Sequence, residues 1–176
     1  SINANEKNGF YLDSKLAAEI LLKNFSKFFR SFIILRPFFI YGPRQDKTML
    51  IPRIISNVIY KKPIYLNGDE GIKLNPIFIE DAASALKNLL NLDGEYIFNI
   101  AGSEVVTIKK LAEIVGSTVK IEPVFKNINE FQFDLIADIS LMKNKLHNHN
   151  ISLKDGIKLT YEFFKIYEEF NSPTKQ

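Results

Sequence analysis

Tyr11 and Lys15 stand four residues apart in "NGFYLDSKLAAEI", a stretch whose apolar residues recur at helical spacing. Residues four apart share one helix face, so a lysine ammonium can be held beside a phenol oxygen and favour its ionised form. Such a phenol can take a proton from a sugar hydroxyl and return it, and the same ammonium can hold a cofactor ribose. Spacing alone is weak ground, because in a chain with seven tyrosines about 0.8 Tyr-x-x-x-Lys matches arise by chance. A second match, Tyr161 with Lys165 in "YEFFK", continues an apolar helical stripe and reads as packing.

The elements around the first pair distinguish it. Its helix is expected to run from Tyr11 to about Phe29, and apolar residues on so much of its surface predict burial on two sides. The run Phe32 to Leu35, ended by Pro37 and followed by Gly42 and Pro43, reads as a central strand of a parallel sheet. In open α/β sheets ligands sit beyond the carboxyl ends of such strands, which sets "LRPFFIYGP" beside the pair.

Downstream, the patterning predicts a helix "MLIPRIISNVIY", a strand "PIYLNG", a loop "DEGIKLN", a strand "PIFIE" and a helix "DAASALKNLLNL" with Glu80 or Asp81 as N-cap. "EYIFNIAG" reads as a buried strand, and "TIKKLAEIVG" as a helix with Thr107 as N-cap and Gly116 past its end. "TVKIEPVF" and "FDLIADIS" are short strand candidates. The last helix opens on a capping box of Ser152 and Asp155 and carries Leu153, Ile157, Tyr161 and Phe164 along one face. No repeat or linker divides the chain.

At 176 residues, 46% hydrophobic and 24% charged, the composition is that of one well-buried domain. A net charge of +3 without runs of like charge does not indicate an electrostatic nucleic-acid footprint. The absence of cysteine excludes disulfides and thiolate metal sites, and His147 and His149 in "KNKLHNHN" read as a solvated loop. No apolar run reaches the ~18 residues a bilayer span needs, and the start "SINANEKNG" has no signal-peptide pattern. A cytoplasmic protein without membrane partners is expected.

Taken in order, "YLDSKLAAE", "LRPFFIYGPRQ", "PIYLNGDEG", "NPIFIEDAASAL", "YIFNIAG" and "TIKKLAEIVG" resemble the C-terminal half of an extended short-chain dehydrogenase/reductase of the NAD-dependent epimerase/dehydratase family, over about residues 9 to 170. The resemblance implies an α/β fold: the C-terminal part of a Rossmann-type parallel sheet plus a small mixed α/β substrate-binding subdomain. It places the catalytic helix at about 10–29 and subdomain elements at about 45–75 and 103–170. It implies epimerisation or dehydration of a nucleotide sugar through a transient ketosugar, with NAD or NADP. Tyr11 would be the acid and base, Lys15 the ligand of the nicotinamide ribose, and Pro37 and Phe38 backbone neighbours of the nicotinamide. Substrate contacts would fall on Phe39, Tyr65, Asn67, Lys73 and Asp134. Ser14 matches the motif, and Glu19 is assigned a structural role. A homodimer built on the Tyr/Lys helix is the implied assembly of the full-length protein.

The chain departs from the family pattern at three points. Phe39 replaces a substrate-contacting asparagine, Leu74 falls where an arginine usually clamps the diphosphate with Lys73 beside it, and Phe131 falls on a second arginine position, leaving Asp134 of that segment. Leucine and phenylalanine cannot make the paired charge-assisted bonds of an arginine fork. The glycine-rich cofactor fingerprint, the acid for the adenosine ribose and the Ser/Thr partner of the tyrosine are not in these residues. Residues 1–176 are therefore expected to form a single fragment without the N-terminal cofactor-binding half, inactive alone. The rival expectation is a non-catalytic binding or assembly module derived from the family.

Overall fold

Parallel pairing dominates the strands of the computed structural model, which describes residues 9–130, 133–146 and 151–171. His147, His149 and Phe131 lie outside the described residues. In chain order the elements are α1 (Gly9–Lys23), β1 (Ser31–Pro37), β2 (Ile40–Tyr41), α2 (Leu50–Ile59), β3 (Pro63–Asn67), β4 (Lys73–Leu74), β5 (Ile77–Phe78), α3 (Ile79–Leu89), β6 (Gly94–Ile100), β7 (Val106–Thr107), α4 (Ile108–Val119), β8 (Val124–Ile128), α5 (Ser140–Lys145) and α6 (Leu153–Asn171). β1 pairs with β6, β2 with β5 and β3 with β8, all parallel, and among the described residues only β4 with β7 is antiparallel. Parallel partners need crossovers, and helices supply them here, as the alternation of elements predicts.

Two apolar clusters form the core. The larger packs Ile54, Ile55 and Val58 of α2, Leu111 and Val115 of α4 and Ile157 of α6 under Ile64 and Leu66 of β3. The smaller sets Ala82 and Ala85 of α3 and Met142 and Leu146 at α5 against Phe98 and Ile100 of β6. Tyr41 and Phe78, rings edge-on at 5.6 Å, stand on the β2–β5 pair.

Asn75 joins segments far apart in sequence. Its Nδ2 donates to the carbonyls of Ala137 (3.0 Å) and Gly102 (3.2 Å), and its Oδ1 accepts from the Ala137 amide at 2.9 Å. Gly102 passes so close that a Cβ there would lie 2.0 Å from the Pro76 carbonyl oxygen. The family pattern shows no role for this amide; its burial at 2% exposure is the sign of it.

Several expectations are corrected. α1 stops at Lys23 rather than near Phe29, because the Asn24 side chain bonds the Ile20 and Leu21 carbonyls and the chain tightens into a 3-10 turn at Ser26–Phe28. Nor is α1 buried on two sides: Phe10, Leu12, Leu16, Ile20, Leu21, Phe25, Phe28 and Phe29 are all exposed among the described residues.

Phe78, not Glu80 or Asp81, occupies the N-cap position of α3, without a side-chain bond. Asp81 instead turns inward, and its Oδ2 accepts from the Ile151 amide at 2.9 Å. Gly116 lies inside α4, which ends on left-handed Lys120; a Cβ on Gly116 would meet the Ile121 carbonyl at 2.7 Å, so close packing explains it. "TVKIEPVF" becomes strand only from Val124, "FDLIADIS" keeps one bridge, Leu135 to Leu74, and the expected loop "DEGIKLN" contains β4. Thr107 does cap α4, accepting from the Lys110 amide, and at α6 the Ser152 hydroxyl accepts from the Asp155 amide and donates to the Asp155 carboxylate in place of the reciprocal backbone bond of a capping box.

Candidate active site

Tyr11, Lys15 and Glu19 succeed one another at four-residue steps and so form one stripe of α1. The Lys15 ammonium lies 5.2 Å from the centroid of the Tyr11 ring, and the Ser14 hydroxyl donates to the Tyr11 carbonyl at 2.7 Å. Ser14 is thus bonded within its own helix.

The third member of the stripe fixes its direction. Arg36, near the end of β1, grips Glu19 with both arms of its guanidinium, Nε to Oε1 at 2.9 Å and Nη2 to Oε2 at 2.5 Å. This fork holds the Glu19 carboxyl below its ordinary range and raises Arg36. Along β1, Ile33 and Leu35 pack on the smaller cluster, so Arg36 projects from the opposite face, and α1 lies on that face. Only residues 24–30 link α1 to β1, so the helix runs back against the strand. Tyr11, eight residues before Glu19, therefore stands about 12 Å further along, toward the carboxyl end of β1, which closes on Pro37 and is followed by Phe38.

At that end, the Phe38 amide donates to the Ile100 carbonyl at 2.9 Å. Phe39 has φ +43, a left-handed conformation in which asparagine is enriched and phenylalanine is rare. Its ring packs against the larger cluster, and its carbonyl accepts from the Ile77 amide.

The other predicted residues form two further groups. On β3, Tyr65 is exposed and Asn67 half-buried, both on the face away from the core. Asp134 is joined to Lys73 through the backbone: its Oδ1 accepts from the Lys73 amide at 2.7 Å, and the Leu135 amide returns to the Lys73 carbonyl. Leu74 is fully buried in the larger cluster, whereas Lys73 beside it is exposed, so only the lysine can reach a ligand.

A cavity of about 440 Å³ lies elsewhere, lined by Tyr41, Phe78, Asp81, Glu104, Met142 and Leu153 among others, and touches none of the predicted site residues. Burial first, then the carboxylates of Glu104, Asp81 and Asp155, push the Tyr41 hydroxyl up, so it stays a neutral donor to the Leu153 carbonyl.

The sequence profile of the NAD dependent epimerase/dehydratase family matches residues 3–101. The chain belongs to this family. It is 32% identical over 133 residues to an uncharacterised UDP-glucose epimerase, YtcB, of Bacillus subtilis, a match that covers 71% of this chain and 42% of the relative. The epimerase/dehydratase fold superposes on the UDP-glucuronic acid 4-epimerase of Bacillus cereus in complex with NAD with a TM-score of 0.73 and 28% identity, over 86% of this chain and 50% of that one. The UDP-glucose 4-epimerase of Thermotoga maritima with UDP-glucose matches with a TM-score of 0.74 over 90% of this chain and 53% of its own, at 24% identity, a likeness of fold. The chain thus spans about half the length of these solved epimerases. Its α/β architecture is a part of their Rossmann-type fold. No described helix is long and apolar enough to cross a membrane.

Proposed function

We propose that this chain supplies the proton-transfer and substrate-binding half of an NAD(P)-dependent epimerase or dehydratase acting on a nucleotide sugar. The observation that carries the reading is the Tyr11–Lys15–Glu19 stripe, anchored by Arg36 so that its tyrosine end overhangs the carboxyl end of a parallel strand.

The residues fit one end of the cofactor. The Lys15 ammonium makes no ion pair among the described residues and can hold the hydroxyls of a nicotinamide ribose. Pro37 and Phe38 offer carbonyls beside it. The glycine-rich turn that would take the pyrophosphate is not in these 176 residues, so tight cofactor binding requires the other half of the fold. When bound, the nicotinamide accepts hydride from a sugar carbon.

Tyr11 takes the proton of the hydroxyl on that carbon, leaving a ketosugar, and returns a proton when the sugar is reduced or dehydrated. Lys15, one turn away, holds its ammonium over the Tyr11 ring, 5.2 Å from the ring centre. Phe39 stands at the substrate-contact position with its ring turned against the larger cluster, Tyr65 and Asn67 face the nucleotide, and Lys73, set against Asp134, supplies a charge beside buried Leu74.

The experiment is turnover of the intact protein with Tyr11→Phe and Lys15→Met. Tyr11→Phe should lower kcat by about 10²- to 10⁴-fold while leaving cofactor affinity in place, and Lys15→Met should weaken both. Unchanged turnover in both variants overturns the assignment.

A further inference from the structure

Glycine follows an asparagine or an aspartate at four places, Asn8–Gly9, Asn67–Gly68, Asp93–Gly94 and Asp155–Gly156. At such a pair the glycine nitrogen can attack the side-chain carbonyl carbon before it and close a cyclic imide, because no Cβ on the second residue hinders the approach. A nitrogen already committed to a backbone hydrogen bond is held back from that attack. Asn8 lies outside the described residues, and the fold separates the other three pairs.

The Gly94 amide donates to the Arg30 carbonyl at 3.0 Å, and Arg30 also holds the Asp93 carboxylate. The Gly156 amide donates to the Ser152 carbonyl at 2.9 Å within α6, where a Cβ would collide with the Tyr41 hydroxyl. Neither the Gly68 amide nor the Asn67 carboxamide makes a hydrogen bond among the described residues. Gly68 is exposed and left-handed at φ +66, and a Cβ built on it would meet nothing within 4 Å. The chain is fixed on either side of it. β3 ends at Asn67, in register with Ile128, while the Glu70 and Ile72 carbonyls accept from the Lys109 and Ile108 amides at 3.1 Å each. Gly68 and Asp69 form a bare tip between these anchors, the kind of place where covalent change concentrates.

We propose that Asn67 is a site of spontaneous deamidation. The Gly68 nitrogen, having lost its proton to solvent base, bonds to Asn67 Cγ; the bond from Cγ to the carboxamide nitrogen breaks, and ammonia leaves. Water then opens the imide at either carbonyl, giving aspartate, or isoaspartate with the main chain rerouted through the side chain. Water is consumed and ammonia released, with no change of oxidation state. Either product adds an anion beside Asp69 and Glu70, and isoaspartate also lengthens the backbone at the last ladder position of β3.

Incubation of the folded, intact protein at mildly alkaline and mildly acid pH, followed by peptide mass mapping, tests this. The peptide carrying Asn67 should gain about one mass unit, faster at the alkaline pH, and a fraction of it should become a substrate for isoaspartyl methylation. Gly68→Ala should slow the gain several-fold, and Asn67→Gln should abolish it. An Asn67 peptide of unchanged mass at alkaline pH overturns the proposal, whatever happens at Asn8. Equal rates in the parent and Gly68→Ala overturn attack by the Gly68 nitrogen, and isoaspartate forming at Asp93 or Asp155 as fast as at Asn67 overturns selection by the fold.

Discussion

Arg36 holds Glu19 by two parallel hydrogen bonds, and this fork ties the helix bearing Tyr11 to the strand whose end faces it. Glu19→Gln should cost about 1 kcal/mol in urea unfolding near neutral pH, as a well-aligned but partly solvated pair does. The Glu19 carboxyl lies below its ordinary value of 4.5 when folded, so the contribution is complete above that value and is lost as pH falls through the lowered one. The variant and the parent should therefore converge in stability on acidification. A gap that persists at low pH refutes the ion pair as its source.

Breaking the same fork should also disturb chemistry at a distance. Arg36→Ala leaves Tyr11 and Lys15 in place on α1 but frees their stripe, so kcat in the intact protein should fall by about ten-fold or more, with Arg36→Lys recovering little, because a lysine cannot match both carboxylate oxygens. Equal activity of parent and Arg36→Ala counts against a positioning role.

Asn75→Ala removes a donor and an acceptor that serve the buried Ala137 and half-buried Gly102 backbone, and it should lower stability by about 2–4 kcal/mol. Gly102→Ala should be at least as damaging, since the new methyl would meet the Pro76 carbonyl at 2.0 Å and the backbone would have to move. Thermal unfolding of each variant reads the loss, and a melting temperature within a degree or so of the parent's would contradict the contact.

Lys120→Gly should act in the opposite direction. Lys120 ends α4 at φ +61, an exposed left-handed position that glycine adopts without strain. A gain of about 0.5–1 kcal/mol is expected in chemical denaturation. A loss would show that the lysine side chain contributes more than its backbone costs.

The apolar surface of α1 predicts association. Leu12, Leu16, Ile20 and Leu21 are exposed on the described chain, more than a soluble helix ordinarily leaves bare. A second copy packed on this face would cover it, so the intact protein should sediment as a homodimer. A monomer at micromolar concentration removes the second cover.

The sequence alone determined what short-range physics governs. Periodicity located α2, α4 and α6, the apolar run located β1, and side chains three residues from their partners, Thr107 to Lys110 and Ser152 to Asp155, marked two helix starts correctly. The order of the motifs named the family, and Tyr11 with Lys15 needed only one helical turn to meet. Tertiary structure decided the rest, because the partners are remote. Glu19 meets Arg36 across 17 residues, Asn75 meets Ala137 across 62, and Asp81 leaves the end of α3 for an amide 70 residues away. A carboxylate beside a helix start scores as a cap in any local reading; only the packed chain shows that a buried amide elsewhere claims it. In the same way, Lys73 and Leu74 are equal neighbours in sequence, and the pleat of one two-residue strand sends the leucine into the core and the lysine to the surface.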